Sequence, residues 1–251
     1  MRKPLMAGNW KMNKTVEEAV SMVKALKKAV SDIEDVEILI CPAFTALYAV
    51  NNEIKGTNIN LGAQNLFWEA KGAFTGEISP YMVKDAGCSY VIIGHSERRQ
   101  YFAETDETVN KRVKAAFSAD LIPVVCVGET LEEREKNMTF KVIETQIRGG
   151  LANLSEEEAS AIVIAYEPVW AIGTGKTATP LQAQEVHDYI RKLYKEIYKD
   201  AAADKIRILY GGSVNPKNVS DLMKQPDIDG GLVGGASLEA ESFSQLVKYS
   251  K

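Results

Sequence analysis

Cysteine and histidine are scarce in this sequence, with three and two residues among 251. Cys41, Cys88 and Cys126 lie far apart and form no Cys-x-x-Cys pair, so the sequence predicts neither a disulfide framework nor a zinc site. Only His95 and His187 are available, which argues against a metal centre rich in histidine. We expect no metal, and we expect the three thiols to be small buried apolar side chains.

Long apolar runs and a strong net charge are also missing. No segment reaches the roughly 18 consecutive apolar residues of a membrane helix, and residues 1–10 lack the apolar core of a signal peptide. The 30 basic and 34 acidic residues give a net charge of −4, which argues against a nucleic-acid-binding protein that depends on a broad basic surface. These absences predict a cytoplasmic protein that binds neither nucleic acid nor membrane.

Eight short runs rich in Val, Ile and Leu alternate with longer helical patterns and predict eight strands. The runs lie at 5–10, 37–42, 59–64, 90–95, 121–127, 161–167, 206–211 and 230–235. Several are apolar on both faces, which is typical of parallel strands covered by helices. Eight βα units without a linker predict one α/β domain over residues 1–251, a (β/α)8 barrel of parallel strands ringed by helices. A doubly wound open sheet is the alternative, because periodicity does not decide closure.

Helix starts are marked by capping residues between these runs. Thr15 with Glu18 and Thr179 with Gln182 have the spacing of capping boxes, and Ser155 with Glu158 marks another helix start. Thr179 precedes a proline, which suits the first position of a helix. In a barrel of this kind the reactive residues lie just after the strands, and the polar residues of this chain do follow the apolar runs.

Glu167 is the sharpest chemical signal, since it is the only charged residue from 161 to 172. Apolar surroundings raise the pKa of a carboxyl group, which suits a general base, although a buried salt bridge is the alternative. His95 precedes a helix start, where the positive end of the helix disfavours an imidazolium. It therefore suits a neutral hydrogen-bond donor to a carbonyl, or else a core histidine. His187, beside Glu185 and Asp188, is predicted to be a solvated surface residue.

An anionic ligand is indicated by residues after the first and the last three strands. Lys11 supplies positive charge and Asn9 a hydrogen-bond donor, and glycine clusters around 173, 211 and 234 let backbone N–H groups approach a phosphate. The alternative is that these glycines only make turns. Residues 173–177 end like a P-loop, but Trp170 stands where that motif needs glycine, so a nucleotide site is not predicted.

The connection at 65–79 is unusually long and contains Phe67, Trp68 and Phe74. Long connections with aromatic residues are often functional or form interfaces. We expect a second copy of the chain to cover this loop, the alternative being a loop that folds back on its own barrel.

Seven motifs in order give the chain a resemblance to the triosephosphate isomerase family over nearly its whole length. They are residues 8–13 (GNWKMN), 72–79 (GAFTGEIS), 94–99 (GHSERR), 126–130 (CVGET), 165–175 (AYEPVWAIGTG), 210–214 (YGGSV) and 231–238 (GLVGGASL). The resemblance implies an isomerase of glycolysis and gluconeogenesis that interconverts dihydroxyacetone phosphate and D-glyceraldehyde 3-phosphate through an enediol(ate), without a cofactor. It also implies a homodimer through loop 65–79, with Thr75 reaching into the neighbouring site.

The resemblance assigns a role to each site residue. Glu167 matches the base, His95 the neutral electrophile, Lys11 the electrostatic stabiliser and Asn9 a substrate contact. Residues 168–178 match a mobile lid. The phosphate binders that it implies, besides Asn9 and Lys11 as substrate contacts, are Gly173, Ser213, Gly234 and Gly235. A non-catalytic phosphosugar-binding barrel is the alternative, and a nucleotide-binding protein is a third hypothesis.

Overall fold

Eight parallel strands form a closed barrel in the computed structural model, which describes residues 2–171 and 177–249. The strands follow chain order around the barrel, and the first pairs with both the second and the last. They are β1 Leu5–Asn9, β2 Glu37–Cys41, β3 Ile59–Ala63, β4 Tyr90–Ile93, β5 Ile122–Val127, β6 Val163–Tyr166, β7 Arg207–Tyr210 and β8 Gly230–Val233. The predicted (β/α)8 barrel is confirmed, and the open doubly wound sheet is wrong.

Helices surround the barrel and connect its strands. Within the described ranges they are α1 Val16–Ala29, α2 Leu47–Ile54, α3 Pro80–Asp85, α4 Ser96–Tyr101, α5 Asp106–Ser118, α6 Leu131–Glu135, α7 Thr139–Gly150, α8 Glu156–Ala161, α9 Pro180–Ala203, α10 Val219–Met223 and α11 Ala240–Val247. Thr15, Ser155 and Thr179 each form the reciprocal hydrogen bonds of a capping box at a predicted helix start. None of the helices in these ranges is both long and apolar enough to cross a bilayer.

Two apolar layers explain why the strands are apolar on both faces. Alternate residues of a strand point to opposite sides, so Leu5 and Ala7 pack inside the barrel while Met6 packs between strands and helices. Cys41 and Cys126 belong to the inner layer. All three cysteines are free and buried, which confirms the prediction for the thiols.

Most strands end one or two residues before the predicted limits. The run predicted to end at residue 95 stops at Ile93, because Gly94 has a left-handed φ of 70° that breaks the extended backbone. The run predicted to begin at residue 161 begins at Val163, since Ala161 still belongs to α8. The residues removed from the carboxyl ends of the strands form the loops of the barrel mouth, where the site lies.

The prediction for His187 is wrong, because this residue is fully buried. It lies on the inner face of α9 with Ala183 and Ile190, four residues before it and three after it. Its Nδ1 lies 3.1 Å from the carbonyl oxygen of Asp227. Burial lowers the pKa of His187 to about 4, so the imidazole is neutral near pH 7.

The loop at 65–79 has a packed base and an exposed tip. Phe67 donates its N–H to the carbonyl of Ile78 at 2.8 Å, and its ring lies 4.2 Å from that of Trp68. Residues 69–77 are exposed, Thr75 among them. The alternative of a loop folded back on its barrel therefore describes the base of the loop and not its tip.

Candidate active site

A cavity of about 450 Å³ opens at the carboxyl ends of the strands. Side chains and backbone from the first, fourth, sixth, seventh and eighth strand ends line it, among them Asn9, Lys11, His95, Glu167, Ser213, Gly234 and Gly235. All but one of the predicted site residues thus come together. The exception is Gly173, which lies outside the described residues, as do residues 172–176 of the predicted lid and most of the P-loop-like segment.

Glu167 follows β6 and is 2% exposed at the floor of the cavity. Its Oε1 lies 2.9 Å from Nε2 of His95, and its Oε2 accepts the backbone N–H of Ser96 at 2.9 Å. Burial raises the pKa of Glu167, but His95, the Ser96 N–H and the charge of Lys11 lower it, and the pKa lies below the usual value. The predicted upward shift is therefore wrong for this arrangement, because the apolar run shows the neighbours in sequence and not those across the barrel.

His95 is the residue that caps the N-terminus of α4. Its Nδ1 accepts the backbone N–H of Glu97 at 3.2 Å. The proton of a neutral imidazole therefore lies on Nε2, which faces Glu167. Burial lowers the pKa of His95, whereas the carboxylate of Glu167 raises it, and the pKa lies above the usual value while the two side chains are in contact. From the sequence, the helix terminus predicted only a lowering of the His95 pKa.

Lys11 is held in place by three polar contacts. Its Nζ forms a 2.6 Å ion pair with Oε1 of Glu97. Its backbone, in the left-handed region at a φ of 52°, donates N–H to Oδ1 of Asn9 at 3.0 Å. Gln64 donates from Nε2 to its carbonyl at 2.8 Å. These contacts hold a strained backbone and place a cation in the cavity.

Glycines at the seventh and eighth strand ends allow the backbone to approach the site. A Cβ added to Gly211 would lie 2.8 Å from Cγ of Glu167, and one added to Gly234 would lie 3.5 Å from Cε of Lys11. Asn218 clamps the intervening loop by donating to the carbonyl of Ser213 at 2.9 Å and accepting the N–H of Asn215 at 2.9 Å. Gly211 is thus required by its close approach to Glu167, and not only by the turn.

Several polar partners were not singled out from the sequence. Glu97 pairs with Lys11, and Gln64 supports it. Glu129 is fully buried, and its carboxylate accepts hydrogen bonds from Tyr166 and Trp170. Glu97 lies two residues after His95, so the helix start predicted at Ser96 could have indicated it. The roles of Gln64 and Glu129 depend on contacts between distant segments. Among residues 2–171 and 177–249 no group of three or more His, Cys, Asp or Glu residues is placed to hold a metal ion.

Comparisons with known proteins agree with this geometry. A family model described as triosephosphate isomerase matches residues 4–250. A triosephosphate isomerase of Endomicrobium trichonymphae is 76% identical over 251 residues, all of both chains, and one of Trichlorobacter lovleyi is 59% identical over 249 residues, 99% of both. The crystal structure of triosephosphate isomerase from Bartonella henselae superposes with a TM-score of 0.90 at 42% identity, covering 98% of each chain.

Proposed function

The chain belongs to the triosephosphate isomerase family, and on that premise we propose that the cavity at the barrel mouth is its active site. The reaction interconverts dihydroxyacetone phosphate and D-glyceraldehyde 3-phosphate through an enediol(ate) and serves glycolysis and gluconeogenesis. It needs a base, a hydrogen-bond donor for the carbonyl and a site for phosphate. The cavity contains candidates for all three.

The contact between Glu167 and His95 carries the proposal. The two side chains meet at 2.9 Å inside the cavity, so a three-carbon substrate can reach both. Glu167 removes a proton from the carbon beside the carbonyl; the C–H electron pair forms the C=C bond of the enediolate, and the π pair of the carbonyl moves onto its oxygen. Nε2–H of His95 donates to that oxygen and carries protons between the two oxygens of the enediolate. Glu167 then returns its proton to the neighbouring carbon, which completes the exchange.

Substrate binding strengthens the base in this proposal. The carbonyl oxygen and Oε1 of Glu167 compete for the same proton on Nε2 of His95, so binding separates the two side chains. Separation weakens the contact that lowers the pKa of Glu167 and leaves burial, which raises it. The same separation weakens the effect that raises the pKa of His95 and favours a neutral imidazole.

Lys11, Asn9 and the backbone groups that follow the last three strands hold the rest of the substrate. Lys11 stabilises negative charge on the substrate and on the developing enediolate. The contact of Oδ1 of Asn9 with the Lys11 N–H leaves the amide nitrogen of Asn9 as the donor toward a ligand. The phosphate is assigned to the backbone at Ser213, Gly234 and Gly235, which line the same cavity, and at Gly173. The proton transfers leave no net change of oxidation, so no redox cofactor is required.

The molecule is proposed to act in the cytoplasm as a homodimer of single-domain subunits, each formed by residues 1–251. Three buried free cysteines suit a reducing compartment. The pairing of β1 with β8 supports one domain, since both ends of the chain close the same barrel. The exposed tip around Thr75 is the proposed contact with the second subunit.

A kinetic comparison of the wild-type protein with Glu167→Gln tests the proposed function. We expect kcat for glyceraldehyde 3-phosphate, followed by coupled consumption of dihydroxyacetone phosphate, to fall at least about 100-fold in the variant because proton abstraction is lost. The affinity for inorganic phosphate should change little, because Glu167 is not a phosphate contact. Folded wild-type protein that binds phosphate without turnover would favour the non-catalytic phosphosugar-binding barrel instead.

A further inference from the structure

A glutamine side chain forms hydrogen bonds with the backbone just after β5 ends. The strand stops at Val127, and the next residue, Gly128, donates its N–H to Oε1 of Gln146 at 2.8 Å. Nε2 of the same glutamine donates to the Gly128 carbonyl at 3.1 Å. A primary amide offers the same donor and acceptor as a peptide group. Gln146, on α7, therefore occupies both backbone hydrogen-bonding groups of Gly128.

Gly128 is the middle residue of the segment on which the backbone of Glu167 rests. Glu167 donates its N–H to the carbonyl of Val127 at 2.8 Å, and Val169 donates to the carbonyl of Glu129 at 3.1 Å. Between these contacts, a Cβ added to Gly128 would lie 1.7 Å from the carbonyl oxygen of Glu167. The two backbones touch, so a shift of Gly128 also shifts Glu167.

Gly128, Gln146 and Glu167 line a second cavity of about 500 Å³, which shares Glu167 with the first cavity. The segment next to a cavity has space into which it can move, and glycine adds the freedom of a residue without a side chain. Among the described residues, Gln146 forms the hydrogen bonds to the N–H and carbonyl of Gly128 itself, and these add to the restraint from the backbone contacts of Val127 and Glu129.

We infer that Gln146 is a positioning residue for Glu167, acting through the backbone of Gly128; the inference rests on the proposed role of Glu167 as the base. Both carboxylate contacts, to His95 and to the Ser96 N–H, are 2.9 Å long and depend on where the Glu167 backbone lies. Three of the proposed phosphate contacts, Ser213, Gly234 and Gly235, come from other strand ends. Loss of the restraint therefore affects proton transfer more than phosphate binding.

Gln146→Met tests the inference, since it removes both hydrogen bonds while keeping a side chain of similar length. A misplacement of about 1 Å costs roughly 100-fold in rate, so for a partial shift we expect kcat to fall about tenfold. KM for glyceraldehyde 3-phosphate and the inhibition constant of inorganic phosphate should stay within about twofold of wild type. Gln146→Glu keeps an acceptor for the Gly128 N–H and should restore part of kcat.

Asn58→Leu is the matched control. Its amide also binds backbone, donating to the carbonyls of Val30 and Ile33 at 2.7 and 2.8 Å, but it lies just before the start of β3, at the end of the barrel away from the site. It should lower the melting temperature without lowering kcat at 25 °C. The carboxyl pKa of Glu167, followed by 13C NMR, should rise in Gln146→Met because the contacts that lower it loosen, and should not move in Asn58→Leu.

Three results would overturn the inference. They are an unchanged kcat in Gln146→Met, equal losses of kcat in Gln146→Met and Asn58→Leu, or an unmoved Glu167 pKa in Gln146→Met. If Gln146→Met does not fold, the same criteria apply to Gln146→Leu, which also lacks both hydrogen bonds. Absence of turnover in wild type would reject the proposed function instead, and the NMR titration would still report whether Gln146 positions Glu167.

Discussion

At the residue scale, Glu167 shows how a fold reverses the chemistry suggested by a sequence. Within its own run the carboxyl group has only apolar neighbours, and burial raises its pKa. Across the barrel it meets an imidazole at 2.9 Å and a backbone N–H at 2.9 Å, both of which stabilise the carboxylate. Glu167 is thus held ionised in the free protein, and in the proposed mechanism it regains basicity when substrate displaces those contacts.

A titration of Glu167 by 13C NMR tests this resting state. We expect its midpoint below 4.5, the usual glutamate value, because the contacts with His95 and Ser96 outweigh burial. A folded-state pKa below the unfolded one adds stability above the unfolded pKa, and that stability is lost as the pH falls through the folded pKa. Replacing His95 with Gln should move the midpoint upward, since the strongest contact that lowers it is gone. Glu167→Gln assigns the signal, and a wild-type midpoint above 4.5 would contradict the assignment.

The candidate reactive residues could be predicted from the sequence, whereas the residues that hold them in place could not. Lys11, His95 and Glu167 stand directly after apolar runs, and parallel strands bring such positions to one rim. Gln146 carries no such mark, because it lies within a helix and its role depends on that helix turning its amide toward Gly128. Distances between segments decide such contacts, and a single sequence does not contain them.

At the element scale, the error over His187 comes from comparing the wrong neighbours. Glu185 and Asp188 are adjacent in sequence but point away from His187 on a helix, where residues three and four apart share a face. Ala183 and Ile190 share the face of His187 and are fully buried. The ring lies 5.9 Å from that of Tyr166, on the strand that precedes the base. The helix period should therefore have taken precedence over local polarity.

The pH dependence of stability tests the burial of His187. A pKa of about 4 in the folded state against 6.5 in the unfolded state makes the unfolded chain bind the proton first. Stability from this residue is therefore complete above pH 6.5 and falls toward pH 4, with a loss of about 2 kcal/mol between pH 7 and pH 5. Urea unfolding of wild type and His187→Gln should show a smaller pH dependence in the variant by about that amount. Equal slopes would mean that His187 titrates normally.

At the scale of the whole molecule, barrel closure joins both ends of the chain in one site. β1 pairs with β8, so Asn9 and Lys11 lie beside Gly234 although more than 200 residues separate them. Eight apolar runs at regular intervals predict the units, but the sequence does not show that the first and last strands meet. The net charge of −4 also becomes informative. A negative protein attracts an anionic substrate only through local positive potential, from Lys11 and backbone N–H groups.

The exposed apolar side chains predict assembly of two subunits. Phe74, at the tip of the loop at 65–79, is 43% exposed, and Met12, beside Lys11, is 96% exposed. We expect Phe74→Glu to shift the protein from dimer to monomer in size-exclusion chromatography with light scattering, because a buried unpaired charge opposes association. Activity should fall with the monomer fraction, since the loop around Thr75 is proposed to complete the neighbouring site.

Leu181→Glu provides the control for that experiment. Leu181 is 74% exposed on α9, outside the proposed interface, so the same charge there should leave the dimer intact. Circular dichroism of Phe74→Glu should match wild type, because the phenylalanine is exposed and its loss leaves the core unchanged. A Phe74→Glu protein that remains dimeric at micromolar concentration would reject this loop as the interface. Dissociation of both variants would instead place the contact over a wider surface than loop 65–79.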